Sequence, residues 1–260
     1  MRPDVDRYIS FYNTLLGKTV AQIVSDRLDT LCAFKPGDRV GFLGYGVPYS
    51  SIAEQHEAEP LLFMPGSQGA HPWKTEDGIR PGCRVAMVDD GHLPLPDCSL
   101  DGIILVHALE HNSRPNRFIR EVWRVLKPSG HIAIVVPNRS SSWTAFETTP
   151  FAYGRPWSRR QLTQFLQDHL FTPKAAQTAL MLPPVLVPAM ASLMRVIERP
   201  MRSINANFGG LLIVMADKEM AGGLTVKVRE KVKTAAPEAA SSTISPAKIE
   251  GYLDEISNKA

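Results

Sequence analysis

Two histidines and a carboxylate stand close together in His107-Ala-Leu-Glu110-His111. An imidazole with an ordinary pKa of about 6.5 exchanges a proton near neutrality, so His107 and His111 are candidate bases for an acceptor that must lose one. Glu110 joins them only if burial raises its own pKa. A second group is Gly44-Tyr45-Gly46, followed by Val47-Pro48-Tyr49. Its glycines let the backbone approach a ligand and aim amides at it from a helix start. The third group, Asp89-Asp90, sets adjacent carboxylates behind an apolar run. Each group also has a structural reading. His111 and Glu110 can cap the following loop or helix, His107 can be a hydrogen-bonded residue at a strand end, and the glycines can make a tight strand-to-helix turn.

What must position these groups is an alternation of short apolar runs and amphipathic segments. Tyr8, Phe11, Tyr12, Leu15, Leu16, Val20, Ile23, Val24 and Leu28 recur at helical steps, with Gly17 as the expected interruption. Strands are predicted over Arg39–Leu43, Leu61–Met64, Arg84–Val88, Leu100–Val106, His131–Val136 and Gly210–Ala216. Between them, Pro115–Leu126 carries Phe118, Ile119, Val122 and Val125 on one helical face, and Ser158 is the expected N-cap of a further helix. Uninterrupted apolar runs such as Leu100–Val106 suit strands covered on both faces. The resulting fold class is α/β: an open, mostly parallel, Rossmann-like sheet of about seven strands with helices on both faces. In such sheets ligands bind outside the carboxyl ends of the strands, where all three groups fall.

Composition excludes several classes. The 260 residues are 44% hydrophobic and 21% charged, with 29 basic against 26 acidic residues, so no large net field points to nucleic acid as a partner. Cys32, Cys83 and Cys98 form no Cys-x-x-Cys pair, which argues against a disulfide framework and a thiolate zinc site; no metal is expected, and a cytoplasmic setting is. The N-terminus lacks the apolar core of a secretory signal and is expected to be retained. Ala175 to Met194 is uncharged, but Pro183, Pro184 and Pro188 interrupt it, so a broken apolar segment is expected in place of a membrane span, with peripheral membrane contact left open. The expected domains are a helical cap over 1–35, an α/β domain over 36–221 with a helical, apolar insertion at about 173–207, and a flexible tail over 222–260 with a short helix near Pro246–Ile256.

The stretch from Val88 to Gly130 carries a more specific pattern: Asp89 four residues before Leu-Pro-Leu-Pro, Ser-Leu-Asp opening the fourth strand, Leu-Glu-His closing it, and a helix ending in Leu-Lys-Pro-Ser-Gly. With the glycine turn upstream, it resembles the class I S-adenosylmethionine-dependent methyltransferases, type 11 group, over roughly Arg39 to Phe171. The resemblance implies the class I methyltransferase fold, S-adenosylmethionine as cofactor, and methyl transfer by in-line displacement. It implies that Gly44, Tyr45 and Gly46 lie against the methionine and ribose part of the cofactor. Asp89 would accept from the adenine amino group with the Asp90 amide beside it, and His107 would border the methionine moiety and the acceptor. The chain departs from the family at Phe42, where an aspartate is usual, at Pro48, where a third glycine is usual, and at Phe63-Met64-Pro65-Gly66-Ser67, which lacks the ribose carboxylate and leaves Ser67 or Gln68 for neutral contacts.

Those departures sustain an alternative: a catalytically degenerate methyltransferase-like protein acting as a binding or regulatory subunit. A nicotinamide-dependent reductase is disfavoured by the missing third glycine and ribose acid. Trp143, Phe146, Phe151, Tyr153 and Trp157 are candidates to line a pocket for a small or lipid-like acceptor, or else ordinary packing. Residues 175–207, with Met181, Met190, Met194 and Met201, and the tail are the candidate surfaces for a protein partner.

Overall fold

The computed structural model describes residues 2–70, 74–75, 78–79, 85–184 and 209–219, all within one compact unit, Met1–Ala221. In chain order the elements are α1 (Val5–Asn13), α2 (Leu15–Leu31), β1 (Arg39–Gly44), α3 (Ser51–Gln55), β2 (Glu59–Pro65), the short pair β3 (Lys74–Thr75) and β4 (Gly78–Ile79), and β5 (Val85–Val88). They continue with β6 (Leu100–Val106), α4 (Pro115–Val125), β7 (Leu126–Pro137), α5 (Arg159–Asp168), β8 (Phe171–Ala179) and β9 (Leu211–Lys218). The main sheet has seven strands in the order β5-β2-β1-β6-β7-β9-β8. The first five are parallel, and β9 runs antiparallel between β7 and β8. Strand order therefore reverses between β1 and β6, the position where an α/β sheet opens a crevice at its carboxyl edge.

Period-two alternation explains why the strands read as continuous apolar runs. In β6, Ile104 and Val106 face a core shared with α1 and α2, while Ile103 and Leu105 face a second core shared with α4 and α5. On α4, Phe118, Ile119, Val122 and Val125 are buried on one stripe. Helix α5 begins at the expected cap: the Ser158 hydroxyl accepts from the Gln161 amide while the Gln161 side chain accepts from the Ser158 amide.

Three local expectations need correction. The N-terminal helix breaks at Thr14, whose extended backbone (ψ 161°) and hydroxyl, accepting from the Gly17 amide at 3.0 Å, start a new helix. Gly17 serves a different purpose, since a Cβ there would lie 2.0 Å from the Phe11 carbonyl oxygen. The turn sequence Lys127-Pro128-Ser129-Gly130 lies inside β7, which absorbs it through an irregular register against β6 and a Ser129 φ of +62°. Where a helical insertion was expected from about 173, residues 171–179 form strand β8, paired along its length with β9. The expectations for the apolar stretch beyond 184, for the tail from 222 and for its short helix lie outside the described residues. Among the described residues, no helix is long and apolar enough to cross a membrane.

Candidate functional site

At the carboxyl edge, the ends of β2 and β5 border an open cleft of about 630 Å³, lined among others by Gly66, Ser67, Asp89, Asp90 and Asn112. Asp89 stands at the rim, its Oδ1 accepting from the Gly91 amide at 2.9 Å, which shapes the turn after β5. Asp90 points inward. Its Oδ2 accepts from Arg2 Nη2 at 2.8 Å and from Asn112 Nδ2 at 3.1 Å, while its Oδ1 is buried without a hydrogen-bond partner. Arg2 reaches across from the N-terminus. Besides Asp90 it donates to the Ser67 hydroxyl at 3.0 Å and to the Ala108 carbonyl at 3.3 Å, so one guanidinium ties together the ends of β2, β5 and β6. Gln68 is buried with neither its amide nitrogen nor its oxygen bonded.

The glycine turn lies beside this cleft and is covered. Gly44 takes a φ of +104°, and a Cβ on it would lie 2.0 Å from the Val106 carbonyl oxygen, so glycine is required by the approach of β6. At Gly46 a Cβ would lie 2.5 Å from that of Phe42, so this glycine makes room for Phe42. The Tyr45 amide donates to the Val106 carbonyl and is spent within the fold. Over the turn lies α1. Tyr8 and Tyr12 stack on Tyr45 with ring centroids 5.2 and 5.6 Å away, and Tyr45 is 4% exposed.

The same helix buries His107. The Tyr12 hydroxyl hydrogen-bonds with His107 Nε2 and with the Tyr49 hydroxyl, each at 2.8 Å, and Phe151 stacks on the imidazole at 5.0 Å. Burial raises the phenol pKa of Tyr8, Tyr12 and Tyr49 well above the ordinary value and that of Tyr45 to about 12, so these rings act as neutral hydrogen-bonding phenols. His107 sits at the end of β6 with a φ of +55°, a left-handed conformation a non-glycine residue adopts only under constraint. The 3-10 turn Leu109–His111 then brings Glu110 and His111 back toward it. His111 Nε2 lies 3.1 Å from the Tyr8 hydroxyl. Desolvation pulls the His111 pKa down to about 4, against the opposing pull of Glu110, so this imidazole is neutral and a weak base at pH 7. For Glu110, burial pushes the carboxyl up, but His107 and His111 together outweigh it, and the group stays below its ordinary range and ionised.

The sequence-selected residues thus fall into two neighbouring places. Asp89 and Asp90 border the open cleft, whereas Gly44, Tyr45, Gly46 and His107 lie under α1. The Ser-Leu-Asp and Leu-Lys-Pro-Ser-Gly signatures form a structural clasp: Lys127 Nζ donates to both Asp101 oxygens at 2.8 Å, and Asp101 also accepts from the Arg39 amide. Of the aromatic group, Trp143 and Phe151 pack in the core beside His107, while Trp157 packs against Phe165 in the other core. Sequence reasoning did not single out Arg2, Tyr8, Tyr12 or Asn112 as site residues. Tyr8, Phe11 and Tyr12 on one face of α1 were the available signal, since three aromatics on so short a helix need an equally aromatic surface to cover.

Residues 66–134 match a family described as Methyltransferase domain. Over 90 residues the chain is 34% identical to a probable S-adenosylmethionine-dependent methyltransferase of Mycobacterium tuberculosis strain H37Rv, covering 34% of this chain and 32% of that one. Over 55 residues it is 38% identical to demethylmenaquinone methyltransferase of Chlamydia trachomatis, covering 21% and 24% of the two chains. The match therefore spans about a third or less of these relatives' length. A methyltransferase structure from Archaeoglobus fulgidus superposes with a TM-score of 0.57 at 20% identity, over 81% of this chain and 99% of that one. One from Thermotoga maritima gives 0.57 at 15% identity, over 83% and 96%. Both share the fold.

Proposed function

We propose that this chain, which belongs to the class I S-adenosylmethionine-dependent methyltransferases, binds that cofactor with its base in the cleft between Ser67 and Asp90 and methylates a small or lipid-like acceptor. The observation that carries the reading is the open cleft at the carboxyl ends of β2 and β5, where Ser67, Asp89, Asp90 and Asn112 set polar groups around space for a ligand's base. The relative that acts on demethylmenaquinone supports the lipid-like acceptor.

The two ends of the site fit the cofactor unequally. At the base end, Asp89, Asp90 and Asn112 offer acceptors and a donor around open space, and the Ser67 hydroxyl stands in for the missing ribose carboxylate once Arg2 releases it. The methionine end does not fit with α1 in this position, because Tyr8 and Tyr12 fill the surface of the glycine turn that the family uses. When bound, S-adenosylmethionine supplies an electrophilic methyl on a sulfonium, and a site accelerates its transfer chiefly by positioning. What this chain offers around open space is the base-recognising rim of Asp89, Asp90 and Asn112. No proton-abstracting role is assigned to His107 or His111, whose imidazoles are enclosed within the fold.

The covered turn, Phe42 and the absent ribose carboxylate favour a second reading, a degenerate relative that recognises only the nucleoside end or nothing. Calorimetric titration with S-adenosylmethionine, S-adenosylhomocysteine and adenosine separates the two. An active methyltransferase binds the two full cofactors at micromolar Kd, about −8 kcal/mol, and at least tenfold tighter than adenosine. Equal affinity for all three, or none, establishes the second reading.

A further inference from the structure

The covered place beside the cleft holds something the methyltransferase reading does not use. Among the described residues, His107, Glu110 and His111 each offer one ligand atom within 4.8 Å of the others. The constrained backbone at His107 and the 3-10 turn after it are what gather them. Glu110 is 4% exposed, and neither carboxylate oxygen has a hydrogen-bond partner. Two buried carboxylate oxygens without a hydrogen bond call for a partner. Its nearest neighbours are His107 Nδ1, 3.5 Å from Oε1, and His111 Nε2, 3.9 Å from the same oxygen.

Those separations bear on two explanations. Hydrogen bonds between such groups would close to about 2.7–3.0 Å. Two ligands of one tetrahedral ion, each about 2.1 Å from it, stand about 3.4 Å apart. Both separations are longer than hydrogen bonds, and the three ligand atoms, within 4.8 Å of one another, would be drawn closer together by a shared ion. The outer contact at His107 agrees: its Nδ1 makes no hydrogen bond, while Nε2 is held by the Tyr12 hydroxyl at 2.8 Å, the kind of second contact that fixes the ring of a metal-bound histidine.

We propose that His107 Nδ1, the Glu110 carboxylate and His111 Nε2 bind one divalent first-row transition metal ion of the zinc type. Two imidazoles and one carboxylate are the donor set such ions take, with a fourth direction left open. In this structure His111 Nε2 hydrogen-bonds with the Tyr8 hydroxyl at 3.1 Å, a contact that metal binding replaces. The ion gives the Glu110 oxygens a partner and ties the β6–α4 turn to α1 through His107 and Tyr12. This proposal is independent of cofactor binding.

The test uses the full chain, stripped with a chelator and titrated with Zn²⁺ and Co²⁺ in the absence of S-adenosylmethionine. One equivalent of zinc per chain, a visible d–d band with cobalt, and a zinc-dependent rise in Tm are expected. Glu110→Gln, which keeps the shape, should retain less than a tenth of the metal and lose the zinc-dependent rise. His111→Gln should behave alike, guarding against a folding defect peculiar to either variant. His56→Ala, which removes an imidazole paired with Asp29 at the surface, should bind metal as the parent does. Folded parent protein that takes up no stoichiometric zinc overturns the proposal. So does undiminished uptake by folded Glu110→Gln, or a Glu110→Gln protein more stable than the parent in the presence of zinc, the sign expected of a merely unpaired buried charge.

Discussion

Two stretches of the same sheet edge, a few residues apart, have opposite characters. At the ends of β2 and β5, Ser67 and Asp90 face an open cleft and Met87 is 64% exposed. At the ends of β1 and β6, Tyr49 and His107 are fully buried against Tyr12, with Tyr8 also over His107, and the glycine turn has no free amide at Tyr45. Both stretches occupy the position where α/β sheets hold ligands. The difference comes from the N-terminal segment, in which α1 lays Tyr8, Phe11 and Tyr12 over one stretch while Arg2, ahead of the helix, reaches over the other. Being a binding edge is thus a property of the strand ends together with whatever the chain's N-terminus leaves uncovered.

The most severe way to break that contrast is to remove the cover. Tyr12→Ala deletes a buried ring and two hydroxyl contacts, and should cost about 3–5 kcal/mol in denaturant unfolding. In the same variant the ratio of S-adenosylmethionine to adenosine affinity should rise, because the glycine turn becomes accessible. Tyr12→Phe keeps the ring and loses only the contacts to Tyr49 and His107, for about 1–3 kcal/mol. If Tyr12→Ala unfolds within about 1 kcal/mol of the parent, the covered half is not core and the contrast fails.

The open half answers to smaller changes. Asp90→Asn leaves the volume unchanged but replaces the charge that faces the cleft, and should weaken adenosine about tenfold, the equivalent of one hydrogen bond to a charged group. Asp89→Ala, at the rim, tests the alternative that the outer carboxylate recognises the base, as the family resemblance implies. Loss of affinity in Asp89→Ala alone would move the base recognition outward by one residue.

Much of this arrangement was legible in the residues. The buried strands β1, β2 and β6 announced themselves because covering both faces forces a continuous apolar run, and the Ser158 cap because its hydrogen bonds are local. Strand β8 was hidden: Phe171–Ala179 contains Pro173 and the weakly strand-forming Ala-Ala-Gln-Thr-Ala, and it is a strand because β9 pairs with it. At the site, Gly44 and Gly46 were readable as a turn, and their partners were not. Whether such a turn faces a ligand or a tyrosine is set by contacts between α1 and β6, about a hundred residues apart in sequence. The Asp101–Lys127 clasp teaches the converse, since a motif characteristic of a functional family here holds strands together.

The mildest expected effect on affinity is at Arg2, where the contrast is sharpest in its detail. Its guanidinium and the Asp90 carboxylate are 5% and 17% exposed, so their attraction is only partly screened by water. Yet the groups Arg2 occupies, the Ser67 hydroxyl and one oxygen of Asp90, are those a nucleoside in this cleft would use. Arg2→Ala should cost about 1–3 kcal/mol of stability while raising adenosine affinity severalfold. Salt gives an internal control: a pair this buried is screened little, so raising the ionic strength should leave the parent's adenosine affinity below that of the variant. An affinity that falls in Arg2→Ala would instead make the guanidinium part of the recognition surface, and α1 would then cover one half of the edge while the residue ahead of it completes the other.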